Sequence, residues 1–220
     1  MNIFLPEVFL FHKSFSWELN MLKIKTLIAA FLMGVVSLST ANAAHHEAGK
    51  WTLSGDESKV AYGSIKKSKI GEVNHFTELK GNVAPDGTVM VSIDLASVET
   101  WIDIRNERMV KFVFDDAKVA ATLKTKINPE EINKLKPGGT TTVSVKGTLS
   151  FKGKDIKIEA DMFVAKLTEK KIMVTTDEMI MLSMEDAGID DSITKLMELA
   201  KLPSITRTAP VTLRFVFVKE

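Results

Sequence analysis

The chain has 220 residues, of which 29 are basic and 28 acidic, and it contains no cysteine. The absence of cysteine excludes a disulfide framework, a thiolate metal site and a cysteine nucleophile. The nearly balanced charge argues against a nucleic-acid-binding protein, because such proteins present a strongly basic surface.

The N-terminal region reads as an export signal. Residues 21–43 combine Lys23 and Lys25 with an apolar stretch over 27–38 and the small residues Ala41-Asn42-Ala43, the pattern of a cleavable secretory signal peptide. The alternative is a permanent anchor, but the apolar stretch is shorter than the roughly 20 residues that a membrane helix needs. Residues 1–20 fit no part of a signal, so we interpret them as an extension that precedes the natural start at Met21.

Cleavage after Ala43 would leave one domain over residues 44–220, with equal numbers of basic and acidic side chains. We therefore expect an exported protein with no stable membrane insertion after cleavage. The same composition offers neither nucleic acid nor an anionic membrane an excess of positive charge.

Eight segments of this domain alternate apolar and polar residues or are rich in β-branched residues, which indicates strands. A strong turn signal, Pro85-Asp86-Gly87, separates the second strand from the third. The predicted strands are 59–65, 73–84, 89–95, 119–127, 143–151, 156–162, 171–184 and 211–218.

The alternation is clearest in the hairpin between Val143 and Met162, where Lys152-Gly153-Lys154 marks the turn. Side chains on a strand point to opposite faces with period two, so one face is apolar and the other is charged. Gly147 falls on the apolar face, where a missing side chain leaves room for a neighbouring strand or a ligand. The apolar face of the hairpin comprises Val143, Val145, Gly147, Leu149, Phe151, Ile156, Ile158 and Met162.

Three segments are predicted to be helical. The first is Glu99–Val110, and the second begins at Asn128, where a capping asparagine precedes Pro129 and Glu131. The third is Asp190–Lys201, with an apolar stripe and Pro203 just after its end.

Few helices and eight strands predict an all-β protein, either a sandwich or a barrel. The strands are long and their outer faces are charged, so each strand buries one face only. We therefore predict an eight-stranded antiparallel up-and-down β-barrel with two or three short helices.

The sequence offers little catalytic chemistry. His75 is the one histidine in the body of the domain, and neither a G-x-S-x-G elbow nor a phosphate-binding loop is present. The pairs Asp115-Asp116 and Asp190-Asp191 lie where turns or helix caps are expected. We therefore predict a protein that is not an enzyme and that has no cofactor other than a bound lipid.

A metal site is conceivable only at the new N-terminus. A chain that begins Ala44-His45-His46 could chelate Cu(II) or Ni(II) through its amine, amide and imidazole nitrogens, with His46 as the imidazole ligand. A disordered polar tail is the preferred interpretation, so no metal is predicted.

An eight-stranded barrel is just wide enough to be filled by side chains or to hold one ligand. Methionine is dense near the C-terminal strands, and its flexible thioether adapts to varied apolar ligands. We therefore predict an apolar ligand in the barrel, with a packed core as the alternative. Beyond the hairpin residues, the predicted lining is Met173, Met179, Met181, Leu213, Phe215 and Phe217, with Trp101 at the mouth.

The order of several short motifs resembles the YceI-like family of exported, lipocalin-like proteins. In chain order they are Asp56-Glu57-Ser58-Lys59-Val60, Phe76 with Gly81-Asn82-Val83, Val91 to Thr100, Arg105-Asn106-Glu107-Arg108, Phe112-Val113-Phe114-Asp115 and Val145 to Gly153. Two positions depart from the family pattern: Glu57 replaces its usual histidine, and Asp177-Glu178-Met179-Ile180 replaces a late arginine and phenylalanine.

The resemblance implies an eight-stranded periplasmic barrel, often dimeric, that binds long apolar molecules. These include polyprenyl chains, isoprenoid quinone-like lipids, and fatty acids and their amides. We accordingly expect a carrier or buffer of such a ligand. The alternatives are a periplasmic stress or interaction protein with a filled barrel, and a redox accessory that presents quinone to membrane cytochromes.

Overall fold

A computed structural model describes residues 50–118 and 120–220. The predicted extension, the predicted signal peptide and His46 lie outside the described residues. The described strands are β1 (Trp51–Leu53), β2 (Lys59–Lys66), β3 (Ile70–Phe76), β4 (Leu79–Val83), β5 (Thr88–Ile93), β6 (Val98–Glu99), β7 (Ala121–Lys126), β8 (Thr140–Phe151), β9 (Lys154–Thr168), β10 (Lys171–Thr176), β11 (Ile180–Ser183) and β12 (Thr208–Lys219).

Eight of these strands close into a ring through antiparallel pairs. The order is β1, β4, β5, β7, β8, β9, β10 and β12, and β12 pairs back onto β1. Four of the described strands remain. Three of them continue ring strands, since β2 follows β1, β3 precedes β4 and β11 follows β10, and the fourth, β6, pairs with β3. The prediction of a closed eight-stranded antiparallel up-and-down barrel is confirmed.

Local hydrogen bonds interrupt strands that were predicted to be continuous. The predicted strand 73–84 is broken between β3 and β4, where the Glu78 amide donates to Ser97 Oγ at 3.0 Å. The predicted first strand, 59–65, is intact as β2. It is separated from β1 by a turn in which the Ser58 hydroxyl donates to the Ser54 carbonyl at 2.7 Å and accepts from the Val216 amide at 3.0 Å. β1 was missed because three residues are too few to show a period.

Three α-helices lie among the described residues: α1 (Asp103–Arg108), α2 (Pro129–Asn133) and α3 (Asp190–Ala200). The predicted helix Glu99–Val110 begins later, because Glu99 belongs to β6 and Trp101 has a φ of 65°. After α1 the chain continues as a π-helical segment, Met109–Val113. The predicted asparagine cap is present in α2, where Asn128 Oδ1 accepts from the Glu130 amide at 3.2 Å.

The β8–β9 hairpin alternates buried and exposed side chains as predicted. Val143 lies opposite Met162 on the inner face, whereas Lys146 and Glu159 form an ion pair of 3.1 Å on the outer face. Gly147 lies on the inner face, and a Cβ atom there would stand 2.9 Å from the Lys124 carbonyl oxygen of β7. The neighbouring strand therefore uses the space that this glycine leaves.

The Gly147→Ala substitution is expected to destabilise the barrel by about 1–3 kcal/mol, because the added methyl group forces β7 and β8 apart. Gly71→Ala is the matched control, since a Cβ atom at Gly71 meets nothing within 4 Å, and such a change ordinarily stays within about 0.5 kcal/mol. Urea denaturation of both variants measures the difference. Equal stability of the two variants would contradict the proposed close approach.

Candidate ligand-binding site

One half of the barrel interior is filled by side chains. Trp51 of β1 lies opposite Val83 of β4, Val83 lies opposite Val89 of β5, and Phe217 of β12 lies opposite Ile172 of β10. These residues are buried in a continuous apolar core. Ile132 of α2, Met162 and Val164 belong to the same core. This end of the barrel is an ordinary packed interior.

The other half encloses a cavity of about 450 Å³. Small-molecule pockets span about 300–1,000 Å³, so the volume lies in the range of known binding sites. The wall is predominantly apolar and comes from β2, β3, β5, β7, β8, β9, β11 and β12. Its members on these strands include Val60, Phe76, Ile93, Ala121, Leu123, Leu149, Phe151, Ile158, Ile180, Leu182, Ala209, Val211, Leu213 and Phe215.

Helices α1 and α3 frame this cavity. The apolar stripe of α3 contributes Ile193, Leu196 and Ala200 to the wall. At the start of α1, Ile102 and Ile104 line the cavity although they are 45% and 51% exposed. Because these two side chains contact both the cavity and solvent, they lie where the cavity opens.

The predicted lining residues divide between the two halves. Leu149, Phe151, Ile158, Leu213 and Phe215 line the cavity. The other predicted residues of β8, β9 and β12 lie outside the cavity wall, and most of them pack against or belong to the filled core. These are Val143, Val145, Gly147, Ile156, Met162 and Phe217.

The methionines predicted as lining point outward. Met179 and Met181 are 63% and 61% exposed, and Met173 is also absent from the cavity wall. The cause is register: Ile180 lies opposite Val211 and Leu182 opposite Ala209, and both partners face the cavity. The even-numbered residues of β11 therefore face inward, and the odd-numbered methionines cannot. Two other methionines, Met109 and Met184, line the cavity instead.

Trp101, predicted at the mouth, is 75% exposed and does not line the cavity. Its ring lies over His75 on the outer side of β3, with ring centroids 5.5 Å apart. Burial and the nearby Lys59 lower the pKa of His75, and Glu99 opposes this shift. His75 is thus a surface partner of Trp101 and stands apart from the cavity.

A polar stripe crosses the otherwise apolar wall on β2 and β3. Tyr62 lies opposite Asn74, Ser64 lies opposite Glu72, and all four residues line the cavity. Sequence analysis missed this stripe, although Tyr62 and Asn74 each stand two residues from an inward apolar residue, Val60 and Phe76. That spacing was the available signal, since alternate residues share a face.

Glu72 is the centre of an ion cluster at this stripe. Its Oε1 atom lies 2.6 Å from Lys66 Nζ and 2.6 Å from Arg105 Nη1. Burial raises the pKa of Glu72, but the hydrogen bonds from Lys66 and Arg105 outweigh this effect and hold the pKa below its ordinary value. Arg105 also donates from Nη2 to the Thr100 carbonyl, which ties α1 to the cavity wall.

The sequence was compared with protein-family models, and the model of the YceI-like domain matches residues 51–217. The chain belongs to the YceI-like family. The resemblance drawn from the short motifs is thereby confirmed over nearly all of the described residues.

Two solved structures extend this result. A polyisoprenoid-binding domain from Saccharophagus degradans, implicated in plant cell wall breakdown, is 29% identical, with a TM-score of 0.76, and the alignment covers 77% of this chain and 98% of that domain. BcnA from Burkholderia cenocepacia is 17% identical, with a TM-score of 0.57 and coverage of 74% and 98%, and it shows the fold alone. No curated protein matches the chain.

The first departure of this YceI-like protein from the family pattern lies outside the cavity. Glu57 is on the surface, where it forms an ion pair of 2.6 Å with Lys171. The hydrogen bond from Lys171 holds the pKa of Glu57 below its ordinary value. The carboxylate therefore has a structural partner, and it is not part of the cavity wall.

The paired aspartates of the YceI-like protein have similar structural partners. Asp115 forms an ion pair with Lys152 at 3.0 Å, and Asp190, in the first turn of α3, forms one with Arg207 at 3.3 Å. Within residues 50–118 and 120–220, no cluster of three histidine or acidic side chains is arranged to hold a metal ion. Over the same residues, every helix is too short or too polar to cross a bilayer.

The ion cluster predicts a pH dependence of stability. Because the folded-state pKa of Glu72 lies below its ordinary value of 4.5, its carboxylate stabilises the protein above that pH, and the contribution is lost as the pH falls through the folded-state pKa. Glu72→Gln should therefore be less stable than the parent at neutral pH, and the difference should vanish in acid. Thermal unfolding between pH 3 and 7 measures this difference, with the exposed Glu78→Gln as control. A difference that is independent of pH would contradict the prediction.

Proposed function

We propose that this YceI-like protein is an exported carrier or buffer that holds one long apolar molecule in the hollow half of its barrel. The observation that carries the proposal is the 450 Å³ cavity with a predominantly apolar wall. Large empty apolar spaces are uncommon in protein interiors, because packing is as dense as in organic crystals.

Burial of the ligand chain supplies the binding energy. Each methylene transferred from water to the cavity contributes about 0.8 kcal/mol. A dozen methylenes therefore contribute about 10 kcal/mol before the cost of ordering the ligand. This gross energy supports tight capture with few polar contacts, so selectivity would depend on chain length and on the polar stripe.

The proposed ligand is a polyisoprenoid, an isoprenoid quinone-like lipid, or a fatty acid or its amide. Support comes from the similar Saccharophagus degradans domain, which is described as polyisoprenoid-binding. Ile102 and Ile104, which line the cavity and are partly exposed, are apolar and therefore suit any of these chains.

We further propose that the protein works in the periplasm by binding and not by catalysis. The basic residues, apolar stretch and Ala41-Asn42-Ala43 of the predicted signal support export. The position of His75 on the outer face, against Trp101, supports the absence of a histidine-based catalytic site in the cavity.

Expression of the full chain in a Gram-negative host tests both proposals. Protein recovered from the periplasm should begin at Ala44 by intact mass, and organic extraction should release a stoichiometric apolar compound. Protein that retains residues 21–43 would contradict cleavage of the signal. Protein that is empty, and that also fails to bind a fluorescent fatty acid or isoprenoid, would refute the carrier function.

A further inference from the structure

Three buried polar atoms of the cavity wall have no hydrogen-bond partner in the described part of the protein. They are Tyr62 Oη, Asn74 Oδ1 and Arg105 Nε. Buried polar atoms in proteins are nearly always hydrogen-bonded, so each exception calls for an explanation. All three residues line the same cavity, so we look for one explanation that covers all three atoms.

The three residues belong to one region of the wall. Tyr62 and Asn74 are directly opposite each other in the β2–β3 pair, where facing side chains stand about 5 Å apart. Arg105 reaches this pair of strands through its contact of 2.6 Å with Glu72, the next inward residue of β3. The three residues therefore lie on one patch of the wall.

The charged side chains that line the cavity have a net positive charge. The ionisable groups with ordinary charges in the cavity wall are Lys66, Glu72, Arg105 and Arg108. Glu72 is already bound by both Lys66 and Arg105, and Arg108 forms no ion pair among the described residues. The side chains of Lys66 and Arg105 are 26% and 25% exposed, and an excess of partly buried cations is unfavourable unless an anion compensates it.

Aromatic rings lead from the patch along the apolar wall. The ring centroids of Tyr62 and Phe76 are 5.7 Å apart, those of Phe76 and Phe114 are 5.8 Å apart, and those of Phe114 and Phe151 are 6.2 Å apart. A ligand with its polar end at Tyr62 would thus lay its chain against a continuous apolar surface.

We propose that Tyr62, Asn74 and Arg105 bind the anionic oxygen-acid end of an amphiphile, a carboxylate or a phosphate, inside the barrel. The Tyr62 hydroxyl and the Arg105 Nε–H donate to the acid oxygens, and the Asn74 amide donates through its nitrogen after rotation about its terminal bond. Burial raises the pKa of the Tyr62 hydroxyl, so the hydroxyl keeps its proton and remains a donor at neutral pH. This inference rests on the proposed carrier function and adds the class of head group to it.

A set of ligands with the same chain and different ends tests the inference. The probes are hexadecanoate, hexadecyl phosphate, hexadecanol, methyl hexadecanoate and hexadecylamine, with affinities measured by calorimetry on the purified mature protein. The two acids should bind at least about tenfold more tightly than the alcohol and the ester, because hydrogen bonds to charged groups are the strong ones. The amine should bind most weakly. Comparison of the two acids identifies which of them the patch prefers.

Two substitutions locate the effect at the patch. Tyr62→Phe and Asn74→Leu should each reduce the affinity for the acids about tenfold and leave that for the ester nearly unchanged. Both should also raise the melting temperature of the ligand-free protein by a few degrees, since each removes a buried polar atom without a partner. Asn82→Leu, on the outer face of β4, is the matched control and should change neither quantity.

The outcomes separate this inference from the carrier function. Equal affinity for all five probes, or variants that weaken all probes alike, would leave the carrier function intact and refute the anionic site, with ordered water as the partner of the three atoms. Tightest binding of the amine would refute it as well. Failure of all five probes to bind would count against the carrier function and the anionic site together.

Discussion

Replacement of Ile158 by tryptophan is expected to reduce the affinity for a long-chain ligand about 100-fold, because the indole occupies the space of about three or four methylenes worth about 0.8 kcal/mol each. Ile158 lies in β9 and lines the cavity. The added ring enters the hollow half of the barrel, so the variant should fold as stably as the parent. Displacement of a fluorescent fatty acid and thermal unfolding measure the two quantities.

The matched control is Lys157→Trp, one residue earlier on the same strand. Lys157 is exposed on the outer face, so its replacement adds the same ring without entering the barrel. Its affinity should equal that of the parent. Undiminished binding by a stably folded Ile158→Trp variant would show that the ligand does not occupy this cavity.

The two halves of the barrel should also respond differently to loss of a phenylalanine. Phe217→Ala is expected to destabilise the protein by about 3–5 kcal/mol, the usual cost of deleting a fully buried aromatic side chain. Phe217 is 2% exposed, lies opposite Ile172 and packs edge-on against Phe215 at 6.2 Å between centroids. Its removal leaves a void that the surrounding strands cannot fill.

Phe151→Ala is the matched change in the hollow half. Phe151 is also buried, at 8% exposed, but one side of it faces the cavity. Its removal therefore breaks fewer contacts than removal of Phe217. The loss in unfolding free energy should be smaller by about 1–2 kcal/mol. Urea denaturation of ligand-free protein compares the two variants. Equal losses of stability would contradict the division into a filled and a hollow half.

The inner and outer faces of the strands and the positions of two helices were predictable from local sequence patterns. Alternation in the β8–β9 hairpin assigned inner and outer faces correctly, since the side-chain period of a strand is a property of the backbone. The asparagine and proline at the start of α2 and the apolar stripe of α3 were likewise local signals. Glu99 and Trp101 were misassigned to a helix, because β6 pairs with β3 through contacts distant in sequence.

The site was only partly predictable. Alternation correctly predicted that Phe151, Leu213 and Phe215 line the cavity. The methionines were predicted to line it because of their flexible side chains, without knowledge of the strand pairing that determines which face they occupy. The pairing of Ile180 with Val211 decided that question. The polar patch at Tyr62 and Asn74 was overlooked because neither residue stands out in a single strand.

The amino-acid sequence by itself determined that this is an all-β protein with a charged exterior, because period-two alternation over eight segments leaves one face of each strand to be covered. It favoured a barrel over a sandwich, and the pairing of β12 with β1 closed the ring. It could not show whether that cover is protein or ligand. Only the tertiary structure decided that β1, β4, β10 and α2 enclose a packed core, whereas β2, β3, β11 and α3 enclose a cavity. The physical reason is that packing depends on which side chains contact one another across the barrel. Strand register and helix docking determine those contacts.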